Sequence, residues 1–177
     1  LHQLIHGHGA GDPGAVAKTG ETEAALMTEL RDIVAVKLRL MGHQVKTDGA
    51  RWLNLPLVHA LTLVPGSDVA MELHTNAVEN PAARGVEVIS LPAQKEMART
   101  IARRIAHVLE IPVRGAGGWI DQSQSARGRL GFVRAGGLVV EVFFISNPEE
   151  LAKYQDRKRL VASAIAESLS PTQWGST

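Results

Sequence analysis

The stretch Leu138-Val139-Val140-Glu141-Val142-Phe143-Phe144-Ile145-Ser146-Asn147-Pro148 decides the fold. Leu138 to Phe144 is a continuous apolar run broken by one charge, Glu141, and reads as a strand. Pro148 suits the first position of a helix and Asn147 or Ser146 its cap, so a last helix is predicted to about Ser168. Upstream, residues 92–110 carry Met97, Ile101, Ile105, Val108 and Leu109 on one helical stripe, with Lys95, Arg99 and Arg103 off it. Gly85 to Leu91 alternates like a strand, and Asp68 to His74 reads as another. Residues 51–63 read as helical with a disturbance at Pro56, and His43 to Lys46 as a strand. A helix is predicted over Glu23 to Met41, with Gly42 as its stop. Residues 1–7 form a first strand that runs into a glycine-rich turn, and residues 113–127 read as an irregular loop. Strands alternating with helices give the α/β class. The expectation is a single three-layer domain over residues 1–170, with a mostly parallel or mixed central sheet of about six strands flanked by helices, and a tail at 171–177.

The 177 residues suffice for one domain with an ordinary core. A formal net charge of +1 offers no field that would attract nucleic acid, so no nucleic-acid partner is expected. The absence of cysteine excludes disulfides, thiolate metal sites and cysteine nucleophiles together. No apolar run approaches the roughly 20 residues that span a bilayer, so no membrane insertion is expected. No basic segment leads into an apolar one at the N-terminus, and no signal peptide is visible.

Metal-dependent hydrolases hold zinc with three His, Glu or Asp ligands and leave a fourth position for water. Of the seven histidines, His6, His8 and His74 stand beside glycine-rich or strand-end positions. His2, His43, His59 and His107 have no acidic or glycine-rich setting. His8 follows a strand, among Gly7, Gly9 and Gly11, and Asp12-Pro13-Gly14 is a turn signature. A plain tight turn is the competing reading. His74 ends an apolar strand, and Glu72, two residues earlier, points to the same face. Glu141 is the stronger signal, because an isolated buried carboxylate costs several kcal/mol unless a cation or a functional cleft compensates it.

These residues fall into a pattern that resembles the zinc-dependent N-acetylmuramoyl-L-alanine amidases. The resemblance rests on Gly7-His8-Gly9-Ala10-Gly11-Asp12-Pro13-Gly14-Ala15, then Gly20-Glu21-Thr22-Glu23 at the start of the long helix. Glu72-Leu73-His74-Thr75-Asn76-Ala77 follows at a strand end, then Gly85-Val86-Glu87-Val88, and finally the Val140 to Glu150 segment. The resemblance implies one Zn2+ held by His8, Glu23 and His74, with Glu141 as catalytic acid/base. Glu21 is the alternative second ligand; Glu23 is preferred because Leu26, Met27, Leu30 and Val34 then follow at family-like helical offsets. His6 is a further alternative.

Glu72, where the family usually has serine, resembles a phage-lysin variation, and it is expected to orient a ligand or contact substrate. Phe143 replaces the family's usual glycine and is expected to reshape the cleft wall. Asn76, Arg114 and Arg134 are further candidates for contacting ligands or substrate, the arginines for a stem-peptide carboxylate. The implied substrate is peptidoglycan, cut between N-acetylmuramic acid and L-alanine of the stem peptide, by a monomer. A phage or prophage endolysin is the favoured setting, accumulating in the cytoplasm and then released to the cell wall. A bacterial autolysin domain, periplasmic or extracellular, is the alternative. A wall-binding module without catalysis also competes, although 4% aromatics leaves little surface for stacking on sugars.

Overall fold

The computed structural model describes residues 1–6, 8, 11–49, 61, 62, 64–125 and 130–169. Its strands are β1 (His2–His6), β2 (Val45–Thr47), β3 (Val69–Asn76), β4 (Glu87–Ser90), β5 (Trp119–Asp121) and β6 (Leu138–Phe144). Its helices are α1 (Glu23–Leu40), α2 (Lys95–Leu109), the one-turn α3 (Gly131–Arg134) and α4 (Pro148–Ser168). The strands form one six-stranded sheet in the order β2-β1-β3-β6-β4-β5. β2, β1, β3 and β6 run parallel; β4 pairs antiparallel with β6, and β5 runs parallel to β4. This reversal matters for the site. It brings the first residue of β4, Glu87, level with Glu141 on β6, at the edge where β1 and β3 end.

Each long helix follows from its sequence. α1 is capped by Thr22, whose side chain accepts the Ala25 N–H, and Glu23 opens its first turn. Met27, Leu30, Val34 and Leu38 then recur at helical spacing and are fully buried. α2 buries Ala98, Ile101, Ala102, Ile105 and Leu109. α4 is capped by Asn147, which accepts from the N–H groups of Glu149 and Glu150. Ser146, the alternative cap, instead accepts from the Val78 N–H at 3.2 Å. All three helices pack on one face of the sheet, where the larger apolar cluster lies. Alternation along the strands sends Ile5, Ala70, Ile89 and Val139 to the other face, where they meet Val64, Phe132 and Val133.

The α/β class, the single domain and the six-stranded sheet match expectation. Two elements do not. The segment expected as a loop over 113–127 contains β5, an edge strand of three residues that is too short to show alternation. α3 is a single turn, below the length at which a helical stripe can be read. The predicted helix at 51–63 and the tail at 171–177 lie largely or wholly outside the described residues, as do His59 and the side chain of His6. No described helix is long and apolar enough to cross a membrane.

Candidate metal and catalytic centre

The structure brings His8, Glu23 and His74 together, with one potential ligand atom from each lying within 4.8 Å of the others. The three come from the loop after β1, the first turn of α1 and the end of β3. Glu23 sits at the centre. Its Oε1 lies 2.9 Å from His74 Nδ1 and accepts the Thr75 N–H at 2.9 Å. Its Oε2 accepts the Ala15 N–H at 3.1 Å and lies 3.4 Å from His8 Nε2. Burial alone would push the Glu23 carboxyl up, but the His74 imidazole and the Thr75 and Ala15 amides outweigh it and hold the pKa low. Glu21 does not join the cluster; it accepts from Thr19 and from Gln155.

Loop geometry makes this convergence possible. Gly14 has φ +64, and a Cβ built on it would stand 2.8 Å from both Glu23 Oε2 and the His8 ring. Only glycine therefore lets the loop close over these two side chains. Asp12, read from sequence merely as a turn residue, accepts the Gly14 N–H at 2.9 Å through Oδ1 and lies 2.9 Å from His8 Nδ1 through Oδ2. The outer nitrogen of His8 is thereby engaged, and Nε2 is left facing Glu23.

His74 is almost fully enclosed. Burial works against its charged form, but Glu23, Glu72 and Glu141 together raise its pKa to about 10. Glu72 shares the His74 face of β3, as the strand period requires, with Oε1 3.6 Å from His74 Nε2. Glu141 is the register partner of His74 across the β3–β6 pair and is completely buried.

Glu141 is also the register partner of Glu87, so two carboxylates face each other across β4 and β6. Glu87 is held by two candidates from the sequence: Asn76 Nδ2 donates to its Oε1 at 3.1 Å and Arg114 Nε to its Oε2 at 2.6 Å. The Arg114 guanidinium also lies over the Phe144 ring, 5.0 Å from its centroid. Glu87 was missed as a site residue, although the argument made for Glu141 applies to it: it is the one charge in Gly85-Val86-Glu87-Val88-Ile89-Ser90-Leu91. Arg134 stands exposed at the end of α3, and among the described residues no hydrogen bond or ion pair joins its side chain to the cluster. Phe143 does not shape the cleft wall; it stacks on Tyr154 in the main core, with ring centroids 4.6 Å apart.

Two imidazoles and a carboxylate are a donor set that suits Zn2+ with one position open. The donors fit the ion in chemistry, in number and in closeness.

Comparison with known proteins agrees with this arrangement. A family model described as N-acetylmuramoyl-L-alanine amidase matches residues 3–171. A solved structure from Neisseria meningitidis, assigned as an N-acetylmuramoyl-L-alanine amidase, is 37% identical with a TM-score of 0.88, covering 99% of this chain and 97% of that one. The catalytic domain of CwlV, an amidase from Bacillus (Paenibacillus) polymyxa, is 20% identical with a TM-score of 0.82 and 97% coverage of both chains. The catalytic domain of the CD27L endolysin, which targets Clostridia difficile, is 21% identical with a TM-score of 0.70 and 95% coverage of both. These last two likenesses speak to the fold alone. No curated protein matches the chain.

Proposed function

The chain belongs to the N-acetylmuramoyl-L-alanine amidase family, and from that premise we propose that it is a zinc-dependent peptidoglycan hydrolase. It cuts the amide that joins the lactyl group of N-acetylmuramic acid to L-alanine of the stem peptide. One observation carries this reading: three ligand-type atoms converge within 4.8 Å, and Glu141 is the strand neighbour of one of their residues.

In this proposal His8, Glu23 and His74 hold the ion. When bound, the ion supplies Lewis acidity toward a water and toward the scissile carbonyl oxygen. Glu141 accepts the water proton as the oxygen attacks the carbonyl carbon, and returns it to the leaving amine as the C–N bond breaks. Its complete burial means that the charge it carries is weakly screened by solvent. In this reading Arg114 meets an anionic group of the stem peptide; its guanidinium, held by Glu87 and lying over the Phe144 ring, supports that role.

Digestion of purified peptidoglycan with and without a chelator tests the reading. New L-alanine amino termini, lost on chelation and restored by zinc, are expected; new reducing sugar ends would overturn it. We further propose the endolysin setting, with cytoplasmic accumulation before release to the wall, on the strength of the phage-like Met71-Glu72-Leu73-His74 segment. Lysis of a host only when a membrane-permeabilising protein is co-expressed is the expected result. Lysis or altered cell separation without one would favour the autolysin reading.

A further inference from the structure

We infer that Glu72 is a positioning residue for the metal centre: its carboxylate holds His74 from behind, through Nε2, so that Nδ1 faces the ion. This rests on the zinc reading above and adds to it a residue that is not itself a ligand.

The geometry is asymmetric across the His74 ring. Nδ1 lies 2.9 Å from Glu23 Oε1, on the carboxylate whose other oxygen lies 3.4 Å from His8 Nε2. Nε2 lies 3.6 Å from Glu72 Oε1. The two nitrogens of an imidazole point away from each other, so a group at Nε2 stands behind the ring and cannot share the ion that Nδ1 faces. A ring that gives one nitrogen to a metal carries its proton on the other, and a carboxylate placed there fixes both tautomer and orientation.

His8 supplies an internal comparison. Its Nδ1 meets Asp12 Oδ2 at 2.9 Å, and its Nε2 faces Glu23. Each histidine thus has a carboxylate on its outer nitrogen. The two differ in setting: the Asp12 side chain is 63% exposed, that of Glu72 only 7%. A carboxylate so deeply buried is expensive unless a charge or a donor compensates it. The strand explains why the residue is glutamate. Residues two apart on β3 stand nearly two strand rises apart, about 6–7 Å, on one face. The longer side chain spans that gap; aspartate would fall short by a methylene.

The test is zinc affinity, by competition with a chromophoric chelator, on the whole chain and its Glu72→Leu, Glu72→Gln and Glu72→Asp variants. Histidine ring 15N spectra of the zinc-loaded wild type accompany it. Glutamine keeps an acceptor at the same reach, whereas aspartate keeps the charge and withdraws it. Positioning predicts that Gln stays within a few-fold of wild type, while Leu and Asp bind about 10–100-fold more weakly. The spectrum should show His74 with Nε2 protonated and Nδ1 proton-free. Wild-type affinity in Glu72→Leu overturns the inference. So does an order in which Asp matches wild type and Gln does not, since attraction by charge alone would then suffice. The opposite tautomer in the wild type overturns it without any variant, which keeps the test decisive if Glu72→Leu fails to fold. A wild type that binds no zinc overturns the proposed function itself.

Discussion

His74 on β3 and Glu141 on β6 are direct partners in the register of two adjacent parallel strands. The second strand pair, antiparallel, adds Glu87 on the far side of Glu141. Glu141 thus lies between His74, one of the three converging ligand-type residues, and Glu87, which is paired with Arg114.

The first prediction follows from that placement. Glu141→Gln keeps the shape of the side chain but cannot take a proton from water. Amide cleavage, followed as release of L-alanine amino termini, should fall by about 10²–10⁴-fold. Zinc affinity should stay within a few-fold, because Glu141 is not among the three converging residues. The thermal midpoint should not drop, since the change removes one of two facing carboxylates. Activity within tenfold of wild type would remove Glu141 from the mechanism.

A second prediction concerns the loop after β1. Gly14→Ala puts a methyl 2.8 Å from Glu23 Oε2 and the His8 ring, at a positive φ. The loop must move, and with it the ligand atoms. A stability loss of about 1–3 kcal/mol is expected, together with weaker zinc binding. Gly11→Ala is the control, because a Cβ there meets nothing within 4 Å; it shares the positive φ but should leave zinc affinity unchanged. Equal zinc affinities for the two variants would sink the steric account.

These cases show what a sequence can and cannot carry. The strand of β6 and the α4 helix were legible because six apolar residues around one charge, and then Asn147-Pro148, leave few alternatives. His8, His74 and Glu141 stood out because each breaks its local pattern. Glu23 could not be told from Glu21 by physics on the sequence; both precede the same helical stripe. The difference lies in three dimensions, where the Ala15 and Thr75 amides reach only Glu23. Glu87 was legible by the same signal as Glu141, a lone charge in an apolar strand, but its pairing with Arg114, 27 residues away, was not. β5 was invisible for a simpler reason: three residues on a sheet edge carry no period.

Glu150 yields a third prediction, on stability alone. Its buried carboxylate accepts the Gly85 N–H at 2.8 Å and the Phe144 N–H at 2.9 Å, tying the start of the β4 segment to the end of β6. Glu150→Ala strands two amides that no longer have this acceptor, so a loss of about 2–4 kcal/mol is expected in denaturant unfolding. A loss below about 1 kcal/mol would mean that water or another acceptor replaces the carboxylate.

The last prediction is a pH dependence located away from the metal. His2 on β1 is buried, with Nε2 3.2 Å from His43 Nδ1. Burial first, and then the charge of His43, push its pKa from 6.5 down to about 4. In the unfolded chain the ring takes up a proton as pH falls through 6.5; in the native chain it stays neutral until about 4. The unfolded state therefore binds more protons across that interval, and stability must fall as pH falls. The stabilisation is fully present above 6.5, and up to about 3 kcal/mol is lost by pH 4. His2→Phe keeps an aromatic ring and removes the titration. Its unfolding free energy, measured beside wild type between pH 7 and pH 4.5, should decline less steeply. Parallel profiles would show that the His2–His43 contact opens to solvent before it can charge, and that acid sensitivity in this interval arises elsewhere.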